Sequence, residues 1–429
     1  MCSNDLQGTH IPSSQSPGEK LHLQVMTSAS KHNPKKRTVV AIPGTKQKCA
    51  RTSAKGRDEE VTSHLLHKVA VPPDFSLSQS ICSYGYFGLS PNTWQPAPEG
   101  ANDNDGSYFE RPLVYGTPNE EEYAVIVRVC QEIVMKDGNK SGRNEGIQKS
   151  YLTIRVVGGH RPTSKRDINQ VVGQIRRILR MDDDNLPHGF WNLHPDAKKR
   201  GFGRTYRSPT LWEDMVKTLT NCNMQWKGTV EMNRKLCRFL GHGCAAQSIT
   251  SVEVGESDGL VCSFPTPRQI ANGGPEYLKK HCRTGYRSPW IVELAQKFLV
   301  GEMNDLTTQP QPSTNGTVGN NKTAKQNLQK RILALKGFGV FASSNVMQLM
   351  GYFDVFPLDT ETTRLFREEF GIAKSVSPRN IQDMAKHHYE QYAPYQFLAY
   401  WFDLWRNYER RKCDGVMSTR WSVQDCAGL

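Results

Sequence analysis

The chain has 429 residues, 55 of them Lys or Arg against 42 Asp or Glu, for a formal charge of +13. Its mass is 48.5 kDa, its pI about 9.2 and its mean hydropathy −0.60. The length allows two or three domains, and the lack of any apolar run of about 18 residues excludes a membrane-spanning helix. Eleven cysteines without regular spacing argue against a secreted disulfide scaffold and for a soluble intracellular protein. The basic balance suits an anionic partner, nucleic acid or acidic protein alike.

Residues 1–75 carry no amphipathic period and are rich in Ser, Thr, Pro and Lys, which predicts a disordered basic tail. Its Pro34-Lys35-Lys36-Arg37 run reads as a nuclear import signal, a phosphate contact or a solvated spacer. The scarcity of acids also permits an organelle transit peptide. Between 76 and 165 the β-branched runs Tyr123–Val129 and Tyr151–Val157 predict a small antiparallel sheet domain. From 166 to 412 the period is helical, so the fold class is α+β rather than alternating βαβ. Ser208 followed by Pro209 predicts a helix start, and Trp212, Met215, Val216 and Leu219 form its buried face. Phe397, Tyr400, Trp401, Leu404 and Tyr408 make an aromatic stripe of the kind that usually faces a core. Residues 303–323 predict a flexible polar insertion and 413–429 a C-terminal tail.

The stretch 328–359 holds the most chemistry. Leu328, Ile332 and Leu335 predict one short helix, Ala342, Val346, Leu349 and Met350 a second, and Gly337-Phe338-Gly339 the turn between them. Such a turn lets a DNA strand approach the backbone while the second helix's amides meet a phosphate. It is equally a plain helical hairpin. Phe338 is expected to point inward. Asp359, twenty residues after Gly339, stands at the start of a further predicted helix from Thr360 to about Phe370, where it is a carboxylate facing a groove or a helix N-cap.

Leu335-Lys-Gly-Phe-Gly-Val-Phe-Ala342, followed by Phe356-Pro-Leu-Asp-Thr360, resembles the helix-hairpin-helix (HhH-GPD) DNA glycosylase superfamily. Trp212-Glu-Asp-Met through Leu236-Cys-Arg-Phe-Leu-Gly241, Thr284-Gly-Tyr-Arg287 and Tyr84 through Trp94 are similar to its branch of 8-oxoguanine and alkyladenine glycosylases. The resemblance spans roughly 76–410 and implies an antiparallel N-terminal sheet ahead of an all-helical glycosylase core. It implies double-stranded DNA as partner, a nuclear base-excision-repair role, a monomer, and no membrane.

By that resemblance Asp359 takes the catalytic position, where a carboxylate stabilises oxocarbenium character on the deoxyribose. Flanking positive charge or helix amides should keep its pKa low, and Arg364 is placed to supply that charge or to meet a phosphate. Lys336, Gly337, Phe338 and Gly339 would hold the DNA backbone. Asn223 and Gln225 would fill the space of the extruded base or cap a helix end. Bifunctional members carry a lysine two residues past the second hairpin glycine; Phe341 stands there, which predicts a monofunctional enzyme. Phe341 would stack on the base or pack in the core, and Tyr400 is the second base-pocket residue. An alkylated purine is the first substrate expectation. Tyr400 and Leu404 replace the glutamine and phenylalanine of the 8-oxoguanine enzymes, and Glu361 replaces their histidine.

No cofactor is required in this reading. The resemblance allows a monovalent cation on hairpin carbonyls, while Cys413 and Cys426 alone after Asp359 cannot build an iron–sulfur cluster. Cys237, His242 and Cys244 lack the paired spacing of a zinc site, so no metal is expected. The rival functions are a catalytically inactive lesion-binding protein and a bifunctional 8-oxoguanine-type glycosylase/lyase.

Overall fold

The computed structural model describes residues 63–117, 121–135, 148–183, 186–245, 260–308, 322–412 and 415–427. Pro34–Arg37, and with it most of the predicted tail, lies outside the described residues, as does most of the 303–323 insertion. Everything described belongs to one folded unit.

Strands β1 (His64–Val71), β2 (Thr93–Gln95), β3 (Tyr108–Tyr115), β4 (Tyr123–Met135) and β5 (Gln148–Gly159) form an antiparallel sheet in the order β1-β5-β4-β3-β2. Both predicted strands are its centre. The segment read as the end of the tail is β1, an edge strand in which only Val69 and Val71 are buried, too few for a period-two pattern. Alternation in β4 sends Val125, Val127 and Val129 into the main core and Ala124 and Ile126 to the opposite face. That face is covered by a two-stranded ladder of β6 (Gly243–Ala245) and β7 (Leu260–Cys262), which interrupts the region predicted as wholly helical.

Among the described residues ten longer helices follow: α1 (Lys165–Ile178), α2 (Leu211–Asn221), α3 (Trp226–Leu240), α4 (Pro267–His281), α5 (Ser288–Leu299), α6 (Lys322–Leu333), α7 (Val340–Leu349), α8 (Thr360–Glu369), α9 (Pro378–Tyr389) and α10 (Gln396–Lys412). Helix α2 starts two residues later than the Ser208-Pro209 signal suggests. Thr210 is its cap, accepting from the Glu213 amide at 3.2 Å, because the Ser208 amide is taken by Asp214 Oδ1 at 2.8 Å.

Sheet and helices do not separate into two domains. Phe109, Val127 and Ile154 share one core with Phe397, Tyr400 and Trp405, so the aromatic stripe of α10 is packed against the sheet region. A second core joins α2 through α7. Helix α7 runs between them, giving Leu349 to the first and Ala342, Val346 and Met347 to the second. The expected C-terminal tail is likewise folded in, with Trp421 and Cys426 buried in the first core.

A buried ion cluster locks β3 to α2. Arg111 forks onto Glu213 with donor distances of 3.2 and 2.9 Å, and Lys217 Nζ lies 2.8 Å from Glu213 Oε1. Burial alone would raise the Glu213 carboxyl, yet the Arg111 and Lys217 charges hold it below the usual range. Glu213→Gln strands two buried cations and should cost about 3–5 kcal/mol at pH 7 in urea denaturation. Since the folded carboxyl titrates below its unfolded value, the gap between wild type and variant should persist above roughly pH 4.3 and shrink as pH falls through the folded value.

Candidate active site and DNA interface

The hairpin forms as read. Leu328 and Ile332 of α6 and Ala342 and Val346 of α7 are buried, and Phe338 points inward between them. The two glycines do different work. Gly337 has φ +87°, a left-handed backbone, and a Cβ there would lie 2.7 Å from Trp290 and 2.8 Å from Leu219. Gly339 has an ordinary φ of −76° and caps α7, with nothing within 4 Å of a Cβ placed on it. The first glycine is required by the fold; the second faces open space. Next to it Val340 is 75% exposed, an apolar contact residue that no sequence periodicity marked. Lys336 is exposed and pairs with Glu293 at 3.0 Å.

Leu219 brings the other elements to the hairpin. Its side chain lies under Gly337, while its carbonyl, near the end of α2, accepts from Arg287 Nε at 3.0 Å. Arg287, 2% exposed, also donates to the carbonyls of Cys222 and Asn223. The Gly-Tyr-Arg turn therefore braces the α2–α3 turn, a role that sequence alone did not assign. Asn223, Met224 and Gln225 are all exposed, and Asn223 takes φ +49°. Gln225 is the N-cap of α3 but makes no capping bond with its side chain. Tyr286, 52% exposed, stands on the same bracing turn with its ring 5.1 Å from Trp290.

Asp359 is the N-cap of α8. Its Oδ1 accepts from the amides of Glu361 at 2.9 Å and Thr362 at 3.2 Å, and Thr362 Oγ1 returns a contact to the Asp359 amide at 3.3 Å. This reciprocal box was legible as Asp-x-x-Thr but passed unread. Among the described residues Oδ2 accepts no hydrogen bond. Burial pushes the carboxyl up to about 6, with the Glu361 charge adding to the rise and the two amides pulling against it. The expected low pKa is thus corrected: the positive charge that should have lowered it is engaged elsewhere.

That charge is Arg364. Its Nε donates to Glu361 at 2.8 Å, and Nη1 to Glu368 at 2.6 Å and Asn407 at 2.7 Å, so it ties α8 to α10 rather than standing open to a phosphate. Glu361 is held by Arg364 and by the Tyr408 hydroxyl at 2.7 Å; burial would raise its carboxyl, but these partners keep it below the usual range. Tyr400 is also repositioned. At 1% exposure its ring is sealed in the core, 5.2 Å from Phe356, and its hydroxyl lies 3.0 Å from Thr362 Oγ1. It supports the capping box and offers no face to a base. Phe341, in the first turn of α7, is half-buried.

No family model and no curated protein matches the sequence. The 3-methyladenine DNA glycosylase from Archaeoglobus fulgidus does match in structure, with a TM-score of 0.50 at 15% identity, over 80% of this chain and 99% of that one. The chain has the DNA glycosylase fold. The 8-oxoguanine glycosylase/lyase of Clostridium acetobutylicum, solved with double-stranded DNA holding cytosine opposite 8-oxoguanine, gives a TM-score of 0.41 at 13% identity, over 79% and 92% of the two chains.

Gly337→Ala should cost several kcal/mol, since it meets a left-handed backbone and two buried neighbours at once. Gly339→Ala should stay within about 1 kcal/mol of wild type in thermal unfolding. For Asp359 the folded pKa is raised, so its contribution favours the fold below the unfolded value and is lost as pH climbs towards about 6. Asp359→Asn keeps the cap without the buried charge. It should be more stable than wild type by roughly 1–3 kcal/mol at pH 7.5 and nearly equal to it at pH 4.

Proposed function

We propose that this chain is a monofunctional DNA N-glycosylase that removes a damaged or modified base from double-stranded DNA, acting as a monomer. The observation that carries the reading is the state of Asp359: a half-buried carboxylate with one oxygen pinned by helix amides and the other unengaged among the described residues. Pinning Oδ1 fixes the direction of Oδ2. In a site closed to water by bound DNA, a carboxylate so fixed stabilises the positive charge that develops on the deoxyribose as the base departs. It can also orient the water that completes hydrolysis. The carboxyl must be ionised to do either, so release should fall off below about pH 6.

DNA would be gripped by the amides at the start of α7 beside Gly339, with Lys336 exchanging Glu293 for a phosphate. Asn223 and Gln225, on the braced turn, would fill the space the base leaves. A monovalent cation would sit on hairpin carbonyls, of which those of Leu335 and Gly339 already accept from the amides of Phe338 and Ser343. With Phe341 where a lyase would hold its amine, the product is an abasic site. An electron-rich ring at that position favours a cationic base, an alkylated purine, as substrate.

The test is single-turnover base release from duplexes carrying 3-methyladenine, hypoxanthine, 8-oxoguanine, uracil or 5-methylcytosine, with and without alkali. Strand breaks should require alkali, and borohydride should trap no adduct on an abasic duplex. Asp359→Asn should lower release by about a hundredfold or more while DNA affinity holds. Release by the variant at the wild-type rate would remove Asp359 from the chemistry. Tight binding with no release from any duplex would favour the inactive lesion-binding protein.

A further inference from the structure

The segment 415–427 crosses back over the N-terminal part of the fold. Arg420 donates to the carbonyls of Ala97 at 3.1 Å and Pro98 at 3.0 Å and pairs with Asp103 at 2.9 Å. Trp94 Nε1 donates to the Thr419 carbonyl at 3.2 Å, and the buried Trp421 ring lies 5.6 Å from Trp405. Beyond it, Cys426 is pressed onto Gly88 so closely that a Cβ at 88 would lie 2.4 Å from Cys426 Cβ. The Cys426 carbonyl then accepts from Trp226 Nε1 at 2.6 Å. Trp226 is the first residue of α3, directly after Asn223–Gln225, and its ring passes 3.4 Å from the Cβ position of Gly85.

We infer that the strap 415–427 is a positioning element for base extrusion, and that Trp226 is the residue through which it acts. The inference rests on the glycosylase reading above, in which the Asn223–Gln225 turn enters the duplex. Extrusion works against stacking and pairing, so a turn that enters the helix must be anchored at both ends. Arg287 anchors the α2 end through three carbonyls. At the α3 end Thr229 and Asn233 tie the helix to Thr220 from further along, at 3.2 and 2.9 Å, but Gln225 gives no side-chain capping bond and residues 223–225 are exposed, so the first residue of the helix needs its own hold. The Trp226–Cys426 bond supplies the second anchor, and Cys426 is in turn fixed by its seat on Gly88.

Two variants test this without touching the turn or Asp359. Trp226→Phe keeps the ring and removes the N–H. Gly88→Ala leaves Trp226 intact but displaces Cys426, at a backbone position where alanine is unstrained. The probe is a duplex with 2-aminopurine, fluorescent when unstacked, opposite thymine or opposite an abasic site, followed by stopped flow. Loss of one anchoring hydrogen bond should slow the fluorescence rise opposite thymine about fivefold in both variants. Opposite the abasic site, where the base is already unpaired, both should match wild type, and affinity for an undamaged duplex should not move. Equal slowing on the two duplexes would mean a general structural defect and overturn the positioning role, as would no slowing on either. A wild-type chain that produces no rise on either duplex would overturn the glycosylase reading itself, and the strap's role with it.

Discussion

A carboxylate drawn partly out of water persists only where something holds its charge, and half-buried Asp359 is held by the opening amides of α8. Helix capping and catalysis stood as competing readings of this residue; the structure shows the cap, and the proposed catalytic role would use the same arrangement. The cap takes Oδ1 and in doing so aims Oδ2. Had Arg364 paired with Asp359, the carboxyl would be more acidic and the second oxygen occupied. Instead Arg364 serves Glu361, Glu368 and Asn407, which leaves burial to set the Asp359 pKa near 6. The acid is therefore ionised at neutral pH at a cost to the fold.

A few shared contacts set the elements proposed to face DNA in register. Leu219 is touched from above by Gly337 and bonded from the side by Arg287, so the hairpin, the bracing turn and the Asn223–Gln225 turn all refer to the end of one helix. A shift of α2 would move all three together. Its start is fixed by the Arg111–Glu213–Lys217 cluster, which makes the sheet part of the interface's support rather than a separate domain.

What the sequence made legible is what local chemistry dictates. The Gly-Phe-Gly turn, the buried faces of α6 and α7, and the strands of β4 and β5 all write a period or a turn signal into a short window. Strand β1 and the strap do not. The first has only two buried side chains, and the second is held by Trp421, Cys426 and a series of bonds to carbonyls far away in the chain. Tyr400 shows a different limit: an aromatic stripe reveals that a ring is buried but not whether it lines a pocket. Arg364 and Glu361 were weighed as single charges, when they pair with each other along α8 and with Asn407 and Tyr408 of α10, some forty residues on.

These limits bear on how one fold persists at 15% identity to the Archaeoglobus enzyme over 80% of this chain. Core volume can be met by many residue combinations, so most buried positions here place little demand on identity. Demands are strict only where backbone or buried charge leaves one solution. A left-handed turn packed on two side chains needs glycine at 337, and a half-buried carboxylate at a helix start needs the amides after 359. An orphaned helix end needs a donor fork such as Arg287. Those few positions lie at or beside the surface proposed to meet DNA. A chain free to change almost everything else would keep its chemistry there, and that is where the sequence could be read without its neighbours.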